Sequence, residues 1–599
     1  MSSAETPLRQ ALLQPLQQRI ARLSSRRPAL LTAAAAPLEA EALLLHLRRE
    51  LIGSRAEITT PFGPRPIIYA DYTASGRSLH FLEENIRERV LPFYANTHTE
   101  ASFTGAQTNA LREEARAAIR RSVNGGERDK VIFCGSGATA AINRLIDILG
   151  LRLPRHLDER YALSADIPEI DRPVVFVGPY EHHSNELPWR ETIAEVVRIG
   201  LDEQGRISKR ELAAALDRYG NRRLRIGSFS AASNVTGLRS DVPGITRLLK
   251  DAGALALWDY AAAAPYVAID VNLRGAEIDA IFLSPHKFPG GPGTPGVLVA
   301  KDALFTNAVP AVVGGGTVSY VSPTEHRFLD DIEHREEGGT PAIIESIRAG
   351  AVFALKDRIG ADTIEAIEAR LIRQARKLLD EVPGIEVLGP KSGERLGIFS
   401  LRFRWGDKDL HHGFVAALLN DLFGIQARGG CSCAGPYGHE LLRIDGAGSR
   451  SLDQAVQQGY ESFKPGWVRV NFHYAAPPEE VDYILNALAL IGEHGWRLLP
   501  SYRLDHARGS WVHRDATRSL PVSLDDLLVR GKSSRRASAR YTGTLEDLLN
   551  EAAKVLAKGA GAEHRTAAMN EAEIPSELEG QRWFASSAEA GARLQRQSR

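Results

Sequence analysis

The stretch from residue 278 to residue 300, IDAIFLSPHKFPGGPGTPGVLVA, places one lysine between two apolar segments. The pattern predicts a buried strand from Ile278 to Leu283, a polar turn, a glycine-proline loop and a second strand from Gly296 to Ala300. The lysine, Lys287, follows the first strand directly in the turn. A chain that folds this way holds an amine at the edge of its core.

A lysine carried into apolar surroundings loses the hydration that favours its ammonium form. Its pKa then falls, and the neutral amine becomes a nucleophile that can form a Schiff base. The alternative is an ordinary surface lysine on a turn. Ser284, His286 and the glycine run favour the first interpretation, because glycines let the backbone approach a ligand closely.

Two other strands lead into polar or small-residue turns. Val131 to Phe133 precedes a helix that opens at Ala138 and Thr139, and the free N–H groups and partial positive charge of a helix N-terminus suit a phosphate. The strand from Pro173 to Val177 leads to GPYEHHSNELPW, which contains His182. Open α/β sheets bind ligands at the carboxyl ends of their strands. A histidine that merely completes a turn is the alternative.

Asp259 ends the apolar strand from Ala254 to Trp258. A buried aspartate is costly unless it has a cationic partner, so this position predicts a positive group nearby. A cap on the next turn is the other interpretation.

Cys433 lies on a loop, CSCAGP, that follows a predicted strand from Gly424 to Ala427, then Arg428 and two glycines. A glycine-rich, arginine-flanked loop favours an exposed and reactive thiol. The alternative is a buried, inert cysteine.

Six separated motifs, in order along residues 66 to 495, resemble the class V aminotransferase and cysteine desulfurase family, which includes selenocysteine lyase-like enzymes. The motifs include Ser-x-His-Lys before the glycine loop, Glu-His-His before Asn, Pro and Trp, Ser-Asn-Val-x-Gly, Gly-Gly-Thr-Pro and Cys-Ala-x-Pro. The resemblance implies fold type I of the pyridoxal phosphate enzymes. That fold has a large domain with a mixed, mostly parallel sheet and a smaller α/β domain.

The resemblance also implies roles for individual residues. Lys287 would carry pyridoxal 5'-phosphate with His286 beside it, His182 would stack on the pyridine ring and Asp259 would meet its nitrogen. The remaining assignments are Ala138 and Thr139 to the phosphate, Asn234 to cofactor and substrate, Arg469 to the amino acid carboxylate, Cys433 to the persulfide, and Thr340 to the phosphate of a partner subunit. The last assignment implies a homodimer.

Three positions depart from the family pattern. The family usually has glutamine or histidine where this chain has Ala262, and histidines where this chain has Cys431 and Ser432. Proton handling is therefore expected to differ, and Cys431 is a candidate to resolve an oxidised Cys433.

The reaction implied is removal of sulfur from L-cysteine, which gives alanine and an enzyme persulfide that a sulfur-acceptor protein would take. A related C–S lyase, epimerase or aminotransferase would keep Lys287, Asp259 and Arg469 without using Cys433. A non-enzymatic sulfur carrier or scaffold is the third possibility. A nucleotide-binding interpretation of the glycine loops has no complete dinucleotide or Walker pattern to support it.

Composition limits the class of protein. Lysine plus arginine and aspartate plus glutamate each number 74 in 599 residues, so the overall charge gives no reason to expect nucleic acid or an anionic membrane as a partner. Three cysteines are too few for a disulfide framework and suit a reducing compartment, so we expect a cytoplasmic enzyme. We predict no signal peptide, no membrane span and no metal site.

We predict four parts along the chain. Residues 1–65 form a helical N-terminal extension, with two amphipathic helices in residues 7 to 52. Residues 66–341 form the large domain and residues 342–498 the small α/β domain. Residues 499–599 form a partly disordered extension, with short helices at 523–530 and 543–557, a basic linker GKSSRRASAR and a mobile tail after Gly559.

Overall fold

The structure is a computed structural model that describes residues 38–97, 99–516, 522–528, 541–570 and 574–597. The part of the predicted N-terminal helices that falls in residues 7–37 and the basic linker at 531–540 lie outside the described residues.

The strands are β1 Glu57–Thr60, β2 Gly63–Pro66, β3 Ile68–Tyr69, β4 Asp129–Cys134, β5 Val174–Val177, β6 Glu195–Arg198, β7 Arg225–Ser230, β8 Leu255–Asp259, β9 Ala280–Leu283, β10 Gly296–Lys301, β11 Val318–Val321, β12 His326–Phe328, β13 Ile385–Val387, β14 Ile398–Trp405, β15 Lys408–Leu410, β16 Ile425–Gln426, β17 Arg428–Gly430, β18 Trp467–Asn471, β19 Tyr502–Asp505 and β20 Ser510–His513.

The α-helices are α1 Leu38–Glu50, α2 His80–Asn85, α3 Phe103–Ser122, α4 Gly137–Ile148, α5 Arg155–Tyr161, α6 Leu187–Arg190, α7 Lys209–Arg218, α8 Val242–Asp251, α9 Ile332–Arg335, α10 Ile343–Ile359, α11 Ala361–Leu379, α12 His412–Phe423, α13 Gly435–Leu442, α14 Gly446–Gln457, α15 Pro478–His494, α16 Leu524–Leu528, α17 Leu545–Lys558, α18 Ala562–Met569, α19 Ser576–Glu579 and α20 Ser587–Gln597. Among the helices in the described residues, none combines the length and the apolar character needed to cross a membrane.

Seven strands form the large sheet in the order β4-β10-β9-β8-β7-β5-β6. Only β10 runs against its two neighbours, and the other pairs are parallel, which confirms the predicted mixed, mostly parallel sheet. Side chains alternate between its faces: Val131 and Phe133 belong to one core cluster, and Ile132 packs in another with Ile142 and Leu145 of α4. The sheet is buried on both faces, as parallel sheets generally are.

The lysine loop connects two strands of this sheet that run antiparallel. Val297 of β10 pairs with Leu283 of β9. Strand β9 begins at Ala280 rather than at the predicted Ile278, because the Ile278 N–H donates to the carbonyl of Val271 outside the sheet. At the far end of the loop, a Cβ on Gly296 would lie 1.9 Å from the carbonyl oxygen of Gly137, so only glycine lets β10 pass the start of α4.

A second, antiparallel sheet has the order β13-β14-β18-β17, with β15 on the outer side of β14. A short parallel pair connects it with the region before the large sheet, because Ile68 and Tyr69 of β3 pair with Ile425 and Gln426 of β16. The backbone therefore joins the two halves of the site directly.

The described residues after Gly559 form helices with buried side chains, whereas the sequence predicts a mobile tail. Ala568, Phe584 and Leu594 are each no more than 6 % exposed, and Phe584 and Leu594 belong to the core cluster of the small sheet. The tail is rich in alanine, glycine and polar residues, so its few apolar side chains give a weak periodic signal. These few apolar side chains are sufficient to hold the tail in place, because they pack into a core that other elements build.

Leu594→Ala tests this packing, and Leu524→Ala is a matched control on α16. Leu594 is 6 % exposed and Leu524 is 81 % exposed. We expect Leu594→Ala to lower the free energy of unfolding by about 2–5 kcal/mol, the range for a buried leucine. Leu524→Ala should change it by no more than about 0.5 kcal/mol. Urea unfolding followed by tryptophan fluorescence measures both, and equal effects would contradict the packed tail.

Candidate active site

A cavity of about 570 Å³ opens at the carboxyl ends of the strands of the large sheet. Strands β4, β5, β7, β8 and β9 each deliver the residues that follow them to this edge, as expected for an α/β sheet. Nine of the predicted residues line it: Ala138, Thr139, His182, Asn234, Asp259, His286, Lys287, Cys433 and Arg469. Thr340, the tenth, is exposed and does not line the cavity of this single chain.

Lys287 ends a 3-10 turn directly after β9. Burial lowers its pKa to about 8, against the opposing effect of the Asp259 carboxylate, and the charges of Arg469 and Arg428 lower it further. The neutral fraction of the Lys287 amine near neutral pH is therefore far larger than that of an ordinary lysine. The turn is fixed from behind, because the N–H of Gly76 donates to the carbonyl of His286 over 2.8 Å.

Asp259 is the last residue of β8 and is 5 % exposed. Burial raises its pKa, while a 2.8 Å hydrogen bond from the N–H of Ala261 and the charge of Lys287 lower it. The charge of Lys287 thus offsets part of the cost of burying the Asp259 carboxylate. The pairing of Asp259 with a cofactor nitrogen stays a prediction. Ala262 also lines the cavity, at the position where the resembled family has a polar side chain.

The N-terminus of α4 faces the cavity through Ser136, Gly137, Ala138 and Thr139. Intrahelical bonding begins with the N–H of Ala140, which donates to the carbonyl of Ser136. The Ala138 N–H already donates to Oγ of Ser284 over 2.9 Å, so this amide has a protein partner at the predicted phosphate position. The left-handed φ of +55° at Gly137 opens the turn.

His182 is held as a neutral imidazole. Burial lowers its pKa to about 3, and the neighbouring charge of Lys287 lowers it further. Its Nδ1 accepts the N–H of Ser184 over 3.1 Å, and Oγ of Ser184 lies 2.6 Å from Oγ of Thr139. Burial likewise lowers the pKa of His286 to about 4. Neither ring competes with Lys287 for positive charge.

Arg469 lies on β18 with its side chain 5 % exposed. Its Nη2 donates to Oδ1 of Asp71 over 3.1 Å, and its Nη1 donates to the carbonyl of Asn234 over 3.2 Å. The other oxygen of Asp71 lies 3.1 Å from Nη2 of Arg428. Sequence reasoning assigned no role to Asp71 or Arg428 in substrate binding. The available signal was an aspartate directly after the apolar β3 segment, in YADYTASG.

Three polar atoms beside the cavity are buried without a hydrogen-bond partner among the described residues. They are Oγ1 of Thr73, Oδ1 of Asn234 and Nε of Arg469. Buried polar groups are usually paired, so unpaired ones beside a cavity indicate that a ligand supplies the partner.

The loop carrying Cys433 is fixed by residues from both halves of the chain. The N–H of His183 donates to the Cys433 carbonyl, and Nδ2 of Asn234 donates to the Ser432 carbonyl, each over 2.8 Å. Nε2 of His183 accepts the N–H of Gly435 over 3.0 Å. Ser432 and Cys433 both have a φ of +55°, a left-handed conformation that costs about 1–2 kcal/mol per residue. The contacts offset that cost and hold the thiol in place.

The three cysteines differ in setting. Cys433 is exposed and lines the cavity, whereas Cys431 is exposed outside it. Cys134 is buried in β4, and burial raises the pKa of its thiol to about 12. Cys433 is therefore the thiol best placed to meet a ligand held near Lys287.

Comparison with known proteins agrees with this fold. A model of the family "Aminotransferase class-V" matches residues 68–484. A protein of Streptomyces coelicolor named "Probable cysteine desulfurase" is 27% identical over 426 residues, which cover 70% of this chain and 91% of that protein. A protein of the same name from Halalkalibacterium halodurans is 29% identical over 375 residues, which cover 62% and 85%.

Solved structures show the same fold. The apo structure of a cysteine desulfurase from Thermococcus onnurineus NA1 has a TM-score of 0.60 at 23% identity and covers 77% of this chain and all of that one. The S-sulfonic acid form of a cysteine desulfurase from Escherichia coli has a TM-score of 0.55 at 23% identity, with coverage of 73% and 97%.

The chain belongs to the class V aminotransferase family, because the family model matches more than half of it. It has the type I fold of that family and is a pyridoxal-phosphate-dependent enzyme.

The lowered pKa of Lys287 predicts a pH dependence for cofactor capture. Only the neutral amine attacks an aldehyde, so its fraction should rise about tenfold per pH unit and level off above about pH 8. Stopped-flow absorbance of cofactor-free protein mixed with pyridoxal phosphate measures the rate. Asp259→Asn removes a carboxylate that raises the pKa of Lys287, so the plateau should begin at a lower pH. A rate that keeps rising to the range of an ordinary lysine would contradict the buried amine.

Proposed function

We propose that this enzyme is a cysteine desulfurase that removes sulfur from L-cysteine and gives alanine and a persulfide on Cys433. The observation that carries the proposal is that the Cys433 thiol lines the same cavity as Lys287 and Arg469. One cavity thus offers an amine, a carboxylate-binding cation and a thiol. The relatives named cysteine desulfurase match most of the family region, which supports the same reaction class.

The residues around the cavity fit pyridoxal phosphate. Lys287 would attach it, Asp259 would hold its pyridine nitrogen and the neutral ring of His182 would lie against its face. The N-terminus of α4, with the Thr139 hydroxyl, would hold the phosphate. Oδ1 of Asn234, which lacks a partner among the described residues, is available to a polar group of the cofactor or the substrate. When bound, the cofactor supplies an electron-withdrawing ring that stabilises negative charge at the α-carbon of an amino acid.

The protein's own groups then divide the work. Arg469 binds the substrate carboxylate, since a guanidinium offers two parallel donors to one carboxylate. The neutral amine of Lys287 takes the α-proton, for which a pKa of about 8 is well matched. His182, uncharged through its burial, positions the reacting face without drawing that proton.

Sulfur transfer falls to Cys433. Its thiolate attacks the substrate sulfur, so that an S–S bond forms and the Cβ–S bond breaks. The electron pair of the broken bond stays with the carbon, which is protonated to give alanine. The products are alanine and the Cys433 persulfide, which an acceptor protein would then reduce. A cytoplasmic setting would keep the thiol available for the next turnover.

A second candidate is another class V reaction, a C–S lyase, epimerase or aminotransferase reaction that does not use Cys433. Two observations favour it: Ala262 lines the cavity where the resembled family has a polar side chain, and Cys431 and Ser432 replace histidines before Cys433. A substrate without sulfur would then react at Lys287 alone.

Cys433→Ser and Cys431→Ser separate the two candidates. We expect Cys433→Ser to bind cofactor and cysteine but to lose alanine formation by at least about a hundredfold, because the attacking sulfur is gone. Cys431→Ser, the matched control two residues away, should keep most of it. Alanine is quantified after addition of cysteine, and a mass increase of one sulfur is sought on the peptide with both positions. Wild-type alanine production by Cys433→Ser, or faster turnover of a sulfur-free amino acid, would favour the second candidate.

We also propose a homodimer in which Thr340 contacts the phosphate in the partner's cavity. Thr340 is exposed and lies outside the cavity of its own chain, with Nδ2 of Asn96 donating to its Oγ1 over 3.4 Å. A second chain would bring this loop to the cofactor.

Thr340→Ala should therefore weaken cofactor retention several-fold without changing the dimer, because one charge-assisted hydrogen bond is lost. Sedimentation gives the oligomeric state, and absorbance after dialysis gives the retained cofactor. Thr324→Ala, in another exposed loop, is the control. A monomer that retains cofactor fully would contradict the shared site.

A further inference from the structure

Asp71 binds both arginines that line the cavity. Its Oδ1 accepts Nη2 of Arg469 over 3.1 Å, and its Oδ2 accepts Nε of Arg428 over 3.2 Å. The aspartate itself lies behind the arginines, with its side chain 14 % exposed. One carboxylate therefore serves two guanidinium groups.

Without Asp71, the cavity would present two arginine charges to an amino acid. Arg469 is almost fully buried and Arg428 is 54 % exposed, so one site is deep and the other lies at the rim. A pair of arginines at two depths suits a substrate with two carboxylates, one for each guanidinium. The negative charge of Asp71 cancels one of these two positive charges, so the two arginines and Asp71 together carry a net charge of plus one that attracts the substrate carboxylate.

We infer that Asp71 sets the charge class of the substrate, so that the site accepts an amino acid with one carboxylate and rejects one with two. A second carboxylate bound at Arg428 would lie close to the Asp71 carboxylate, which contacts the same guanidinium. Two neighbouring negative charges repel strongly in a partly dehydrated cavity. Cysteine carries one carboxylate and meets the requirement. The inference rests on the proposed function, because it takes an amino acid bound at Arg469 as given.

Asp71 is a positioning residue in this account, since it acts through the arginines. If Asp71 only held the two arginines in position, its removal would weaken the binding of every amino acid to the same extent. If it sets charge, its removal improves the binding of a dicarboxylate relative to a monocarboxylate. The ratio of two dissociation constants distinguishes these roles.

The experiment compares L-aspartate with L-alanine on the cofactor-loaded enzyme, and dissociation constants come from the change in cofactor absorbance. We expect Asp71→Asn to lower the aspartate-to-alanine ratio of dissociation constants by at least about tenfold. Asp71→Glu keeps the charge and should keep the ratio. Asp302→Asn removes a carboxylate from the exposed pair with Arg128, at the opposite end of β10 from the cavity, and should also leave the ratio unchanged.

A double variant identifies the arginine involved. Asp71→Asn with Arg428→Gln restores a single net positive charge, so the ratio should return toward that of the wild type. Arg428→Gln alone should raise the ratio, and this variant provides the test if Asp71→Asn folds poorly. An unchanged ratio in Asp71→Asn, or a wild type that binds aspartate as tightly as alanine, would overturn the inference.

A measurement without cofactor separates this inference from the proposed function. Sodium sulfate should raise the thermal midpoint of cofactor-free Asp71→Asn more than that of the cofactor-free wild type, because the arginine pair then lacks its internal anion. Equal shifts would count against the role of Asp71. A larger shift in the variant, together with no amino acid binding by the cofactor-loaded wild type, would support the role of Asp71 in balancing the arginine charges. That outcome would contradict the proposed function only.

Discussion

The site depends on one short segment of backbone, residues 67–77, that is bonded to both halves of the protein. The N–H groups of Ile68 and Ala70 donate to the carbonyls of Gly424 and Gln426. The carbonyl of Ala70 accepts a hydrogen bond from the N–H of Asn471, the last residue of β18. A few residues later, Gly76 donates to His286 in the lysine turn. A Cβ on Gly76 would lie 1.9 Å from the carbonyl oxygen of Phe288, so this contact requires glycine. The separation between the Lys287 amine and the Arg469 guanidinium is thereby set by main-chain hydrogen bonds.

Burial determines the charge state of the groups on this framework. Burial favours the neutral forms of Lys287, His182 and His286, so the pKa of each group lies below its ordinary value. Of these three pKa values, only that of Lys287 is raised by the nearby charge of Asp259. The cavity therefore holds one amine that can exchange a proton near neutral pH, between imidazoles that stay neutral. Such a site can move a proton without an added base.

The lysine loop was predictable because it depends on local pattern. Apolar strands on either side of SPHK must be buried, and a turn between them must carry Lys287 to the sheet edge. Asp71 was not predictable in this way, because its ion pair with Arg469 joins residues 398 positions apart in the chain. The contribution of the tail was underestimated for a related reason, since residues such as Leu594 are buried by partners from other elements. The role of Thr340 depends on a second chain and stays a prediction.

The packing of the tail has a consequence for synthesis on the ribosome. Phe414 and Leu418 of α12 share a core cluster with Leu556, Phe584 and Leu594. All strands of the large sheet precede the small sheet in the sequence, so they emerge while the residues of the small sheet are still being made. The small-sheet core, in contrast, cannot be completed until residue 594 has left the exit tunnel. The cavity wall that carries Arg428 and Arg469 therefore gains its complete supporting core only after residue 594 has been added to the chain.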